Sequence, residues 1–115
     1  MAIYTSYFGN YRKFPEGAAV IGITRKPPKN VKNWLLLAPS ERLFAEFKTN
    51  KITEHAYKNQ YLKQLNSLNK EEIINKLNEI NQKYNNVILC CYEKKENFCH
   101  RHILADWLDI GIKEL

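Results

Sequence analysis

The sequence predicts a small three-layer α/β domain with a mostly parallel central sheet flanked by helices. Apolar, β-branched segments near the start and at Val87 to Tyr92 read as strands, helical periodicities fill the stretch between them, and a further helical segment follows. Strands separated by helices favour parallel pairing with helices packed on the sheet. At 115 residues and 44% hydrophobic, the chain has the size of one core, so residues 1–115 are expected to form a single domain.

Ala2 to Phe8, AIYTSYF, combines β-branched and aromatic residues and runs into the turn chemistry of Gly9-Asn10, which makes it the first strand. After the loop NYRKFPEG, Ala18 to Thr24 form an apolar run that Arg25-Lys26-Pro27-Pro28 breaks, a second strand with a rigid connection behind it. Arg25 then stands at a strand end, where open α/β sheets bind ligands. The middle of the chain is helical. Ser40 is an N-cap candidate for a helix carrying Leu43, Phe44 and Phe47, and Thr53 for one carrying Tyr57, Tyr61, Leu62 and Leu65. Asn69 with Glu72 resembles a capping box ahead of Ile73, Leu77, Ile80 and Tyr84. Stripes at this spacing are read as core. Val87 to Tyr92, VILCCY, is too apolar for a one-sided surface strand and belongs in the centre of the sheet. A charged loop, Glu93 to Asn97, leads into a last helix from about Cys99, with Ile103, Leu104, Trp107 and Leu108 on its apolar face and Gly111 as its stop. Ile112 to Leu115 can add a short final strand.

Eighteen Lys and Arg against twelve Asp and Glu give a net charge of +6, which favours anionic partners without naming one. Fourteen of the eighteen are Lys, and they are spread along the chain. A solvated helical surface explains them better than a nucleic-acid interface does, so nucleic acid is only weakly supported as a partner. No apolar run reaches the roughly 18 residues of a spanning helix, and MAIYTSYFGN lacks a charged leader before an apolar stretch, so neither a membrane span nor secretion is expected. Three cysteines, two of them adjacent, do not resemble a disulfide framework. A reducing, cytoplasmic compartment follows from that pattern.

The unusual chemistry gathers in Cys91-Tyr92-Glu93 and Phe98-Cys99-His100-Arg101, at the exit of the buried strand and the start of a helix. A helix's first turn carries unpaired N–H groups and partial positive charge, which favours thiolate, carboxylate or phosphate. Cys99 there, beside His100 and Arg101, is a candidate nucleophile or redox group, and Glu93 a candidate general acid or base. Alternation along the strand puts Cys91 and Glu93 on one face and Cys90 and Tyr92 on the other, so Cys91 is taken as site-facing and Cys90 as packing. Against this stands the plain alternative that buried thiols pack and a Glu or His at a helix start caps it. Arg101 could equally form a structural salt bridge, with Glu93 across the loop as the nearest candidate. Cys91, Cys99 and His100 or His102 could supply three ligands to zinc. Yet no paired CxxC spacing appears and His55 lies on a distant helix, so no metal or other cofactor is assigned.

YTSYFG near the start, ITRKPP, LAPS and above all CYEKKENFCHRHILADWL together resemble domain of unknown function family 488 over nearly the whole chain. The family's pattern of a cysteine, a glutamate two residues on, and Cys-His-Arg opening a helix is matched by Cys91, Glu93, Cys99, His100 and Arg101. The resemblance implies a small three-layer α/β fold and a site that adds Tyr4, Ser6 and Arg25 to the terminal motif. It transfers no reaction. The family also has larger relatives, which makes this chain a compact version.

The expectation is therefore a small enzyme or binding protein for an anionic, nucleotide-like or phosphate-bearing ligand. Cys91, Glu93 and Cys99 would be its catalytic groups, and Tyr4, Ser6, Arg25, His100 and Arg101 its ligand contacts. The alternative is a non-catalytic interaction protein, such as a phage-encoded inhibitor or ligand sponge. Neither reading fixes an oligomeric state.

Overall fold

The computed structural model of the protein describes residues 2–94 and 97–115. Within the charged loop expected at Glu93 to Asn97, Lys95 and Glu96 lie outside the described residues. Strands β1 (Ala2–Tyr7), β2 (Ala19–Gly22), β3 (Lys32–Asn33), β4 (Asn86–Cys91) and β5 (Lys113–Glu114) form one sheet in the order β3-β2-β4-β1-β5. All pairings are parallel. Helices α1 (Glu41–Lys48), α2 (Glu54–Asn66) and α3 (Lys70–Tyr84) lie between β3 and β4, and α4 (His100–Leu108) lies between β4 and β5. The three-layer α/β class follows from this arrangement, with a sheet that is wholly parallel. No helix among the described residues is long and apolar enough to cross a membrane.

The VILCCY run earns its central place because β4 hydrogen-bonds to β1 on one side and β2 on the other, and Val87 to Cys91 are all buried. Register puts Thr5 and Ile21 beside Leu89, and Tyr7 beside Cys91, so these side chains share one face. That face carries the main core, where Ile21, Val87 and Leu89 meet Tyr61, Leu65, Leu77 and Leu104 from the helices. The opposite face carries Ser6, Gly22, Ile88 and Cys90. It is covered by a 3-10 turn at Phe8–Lys13, whose Phe8 ring lies against Gly22 and whose Asn10 Nδ2 donates to Ser6 Oγ at 3.1 Å.

Helix starts follow the sequence closely. Ser40 Oγ accepts from the Leu43 amide at 3.2 Å, Thr53 Oγ1 from Ala56 at 3.1 Å, and Asn69 Oδ1 from Glu72 at 3.2 Å. Each such cap stabilises its helix by about 1 kcal/mol.

The departures have local causes. The second strand stops at Gly22 rather than Thr24, because the Asn33 amide accepts from Thr24 N at 3.3 Å and donates to Thr24 O at 2.8 Å. That side chain occupies the backbone groups a longer strand would have used. A Cβ at Gly22 would lie 2.5 Å from Asn33 Oδ1, so the position accepts no side chain without displacing this bracket. The loop after the first strand is the 3-10 turn just described. Strand β3 and a second 3-10 turn at Leu35–Leu37 arise within KNVKNWLLL, a stretch with no strand or helix periodicity of its own.

Candidate functional site

Strand β4 delivers Cys91 to the carboxyl edge of the sheet, on the helical face, and the chain returns to place Cys99 as the N-cap residue of α4. The Sγ atoms of Cys91 and Cys99 are in contact across a separation of eight residues. The expectation that the three cysteines form no disulfide framework is corrected here, since the sulfurs of Cys91 and Cys99 lie within bonding reach of each other. Their Cα atoms stand 7.7 Å apart, wider than the roughly 4.4–6.8 Å over which a disulfide closes without backbone movement. In the reduced protein they are two neighbouring sulfur donors.

Arg101 is fully buried beneath them. Its Nη1 donates to Cys91 Sγ at 2.8 Å and to the Glu93 carbonyl oxygen at 2.6 Å. Its Nε and Nη2 donate to the two carboxylate oxygens of Glu114 at 3.1 and 2.9 Å. Thr5 Oγ1 also donates to Glu114, at 2.7 Å. The salt-bridge partner is thus Glu114 of β5 and not the Glu93 side chain, which is exposed and accepts from Asn97 at 3.3 Å. A guanidinium aimed at sulfur stabilises a thiolate at Cys91. An external anion would have to compete with Glu114 for the same fork.

His100 is buried, and its Nε2 lies 2.5 Å from the Ile23 carbonyl oxygen. That bond requires the proton on Nε2, which leaves the Nδ1 lone pair facing Cys99 Sγ at 3.6 Å. Burial lowers the imidazole from 6.5 to about 4, with the hydrogen bond to Ile23 opposing the shift and Arg101 and His102 adding to it. The ring is neutral at pH 7. Cys91, Cys99 and His100 each bring one potential metal-ligating atom into a group whose members all lie within 4.8 Å of one another. His102, the other histidine considered as a ligand, is not in that group.

A cavity of about 400 Å³ opens onto this cluster, bordered by both cysteines, His100 and the rings of Phe44, Phe47, Tyr57 and Phe98. The rings brace one another, with centroids 4.7 Å apart for Phe47 and Tyr57 and 5.4 Å for Phe98 against each of them. Lys48 and Glu93 stand on its border. Sequence reasoning had placed the aromatic stripes of α1 and α2 in the core alone. Lys48 and Asn50 also border the cavity, and nothing in the sequence marks them for it.

The other expected contacts are dispersed. Tyr4 borders a separate cavity of about 440 Å³ with Ile74, Asn78 and Lys113. Ser6 is buried on the opposite face, beside Cys90. Arg25 is half-buried one residue beyond Thr24, which itself borders the aromatic cavity.

Cys90 is fully buried, and burial pushes its thiol up to about 12, against a lowering influence of Arg101. In the reduced native protein it is expected to resist alkylation at mildly alkaline pH, while Cys91 and Cys99 react from the cavity. Peptide mapping after timed iodoacetamide treatment checks this, and labelling of Cys90 at the rate of Cys99 would contradict it.

A family model described as the active DUF488-N3 subclade matches residues 3–110, nearly the whole chain. No curated protein and no solved structure matches.

Proposed function

Because the chain belongs to the DUF488 family, and the matching subclade is described as active, we propose that it is an enzyme acting on a small, flat, anionic ligand of the nucleotide class, with Cys91, Cys99 and His100 as its reacting centre. The observation that carries this reading is the meeting of two sulfurs and one imidazole lone pair with an aromatic-walled cavity. Two further features support it. The cavity lies outside the carboxyl ends of parallel strands, where open α/β sheets take their ligands, and its volume is in the range of small-ligand sites.

The parts divide the work. The rings of Phe44, Phe47, Tyr57 and Phe98 offer faces to a planar heterocycle. Lys48 and the N-terminal end of α4 supply positive potential to a phosphate or carboxylate. Glu93 on the border is a candidate to move a proton. Arg101 acts within the protein, donating to Cys91 Sγ and tying the start of α4 to Glu114 of β5.

The test is conversion of a panel of ribonucleotides and deoxyribonucleotides, followed by mass spectrometry alongside thermal-shift binding. Cys99→Ser is expected to abolish turnover, Phe98→Ala to raise KM about 10-fold through lost stacking, and Cys90→Ser to change neither. A panel with neither stabilisation nor conversion of any member would overturn the proposal.

A further inference from the structure

We infer that the Cys91–Cys99–His100 cluster is a zinc site with three protein ligands and a fourth position open to the aromatic cavity. The inference builds on reading this cluster as the cavity's reacting centre, and it names what the centre holds. Three features point the same way. First, the donor set is two cysteine sulfurs and one imidazole nitrogen within 4.8 Å of one another, a borderline-soft set suited to zinc. Second, the imidazole is already in the ligating tautomer. Its Nε2 donates to the Ile23 carbonyl, and a metal-bound histidine characteristically spends its other N–H on such a partner. Third, the Cα spacing of 7.7 Å between the cysteines is too wide for a relaxed disulfide but suits two sulfurs joined through an ion. With Zn–S bonds near 2.3 Å and tetrahedral angles, two ligating sulfurs stand roughly 3.8 Å apart.

The surroundings fit as well. Arg101 donates to Cys91 Sγ and is itself held by Glu114, an outer contact that steadies the thiolate and offsets the negative charge of a two-thiolate site. Structural zinc sites close with four protein ligands, whereas catalytic sites keep three and leave one position for water or substrate. The fourth position here faces the cavity that Phe47, Tyr57 and Phe98 enclose. Zinc binding would release any proton the two cysteines still carry, because only thiolates ligate the ion.

The experiment is titration of the reduced full chain with Zn²⁺ alone, and separately with Co²⁺ as an optical reporter. About one metal ion per chain is expected to survive dialysis, and Co²⁺ is expected to give thiolate charge-transfer absorption with the visible bands of a tetrahedral site. Cys91→Ser and Cys99→Ser should each lose that absorption, with circular dichroism confirming that the variant is folded, while Cys90→Ser should keep it. Reduced, folded wild type that retains no zinc and gives no cobalt–thiolate band overturns the inference, as does an undiminished band in either serine variant. Zinc uptake without any nucleotide conversion would remove the enzymatic reading and leave the metal site standing. Conversion by protein that binds no zinc would do the reverse.

Discussion

Arg101→Ala is expected to destabilise the domain by about 3–5 kcal/mol, because it leaves the Glu114 carboxylate facing a cavity where its partner stood. The Arg101 side chain is 0% exposed and that of Glu114 14%, so little water reaches the pair to compensate. Glu114→Ala should cost a comparable amount by stranding the guanidinium. The double variant should cost clearly less than the sum, a coupling that a double-mutant cycle in urea would measure. Arg101→Lys should recover only part, since an ammonium cannot bond both carboxylate oxygens, Cys91 Sγ and the Glu93 carbonyl in the same geometry. The control is Glu93→Ala. Only the backbone carbonyl of Glu93 meets Arg101, so that variant should stay within about 0.5 kcal/mol of wild type. A large loss at Glu93 with none at Glu114 would show that the pairing has been assigned to the wrong carboxylate.

The same pair shows what the sequence carried and what it left out. The caps at Ser40, Thr53 and Asn69 are local rules, each satisfied within three residues, and they appear in the fold as read. The central position of VILCCY follows from burial on both faces, which composition alone records. Glu114 was invisible because its role depends on β5, a two-residue strand that exists only by pairing with β1. No local pattern in IKEL announces that register. The cluster was legible for a related reason. Cys91, Cys99 and His100 are joined by one short loop, so the fold had little freedom to separate them. Tyr4 and Ser6 come from β1, where side-chain direction depends on register, and Arg25 lies in the connection beyond β2, so the three are dispersed. The cavity wall combines α1, α2 and the segment before α4, a long-range arrangement whose aromatic stripes look in sequence like any packed helix face.

Metal-free protein should lose about 3 kcal/mol of stability between pH 6.5 and pH 4 through His100 alone. The folded-state value of the imidazole lies at about 4 against 6.5 when free, and each unit is worth about 1.4 kcal/mol. The sign follows from proton counting. In this window the unfolded chain binds the proton and the folded chain does not, so stability is fully present above pH 6.5 and falls as acid approaches pH 4. The cause is burial, because a protonated ring would have to sit without water beside Arg101. His100→Gln separates this contribution from the carboxylates that titrate in the same acid range. A glutamine amide can still donate to the Ile23 carbonyl but takes up no proton, so its unfolding free energy should vary less with pH than that of wild type by the same 3 kcal/mol or so. Urea melts of both proteins in the presence of a chelator, at several pH values, would measure the difference. Parallel pH profiles would mean that burial does not depress the His100 imidazole and that the folded chain takes up this proton as readily as the unfolded one.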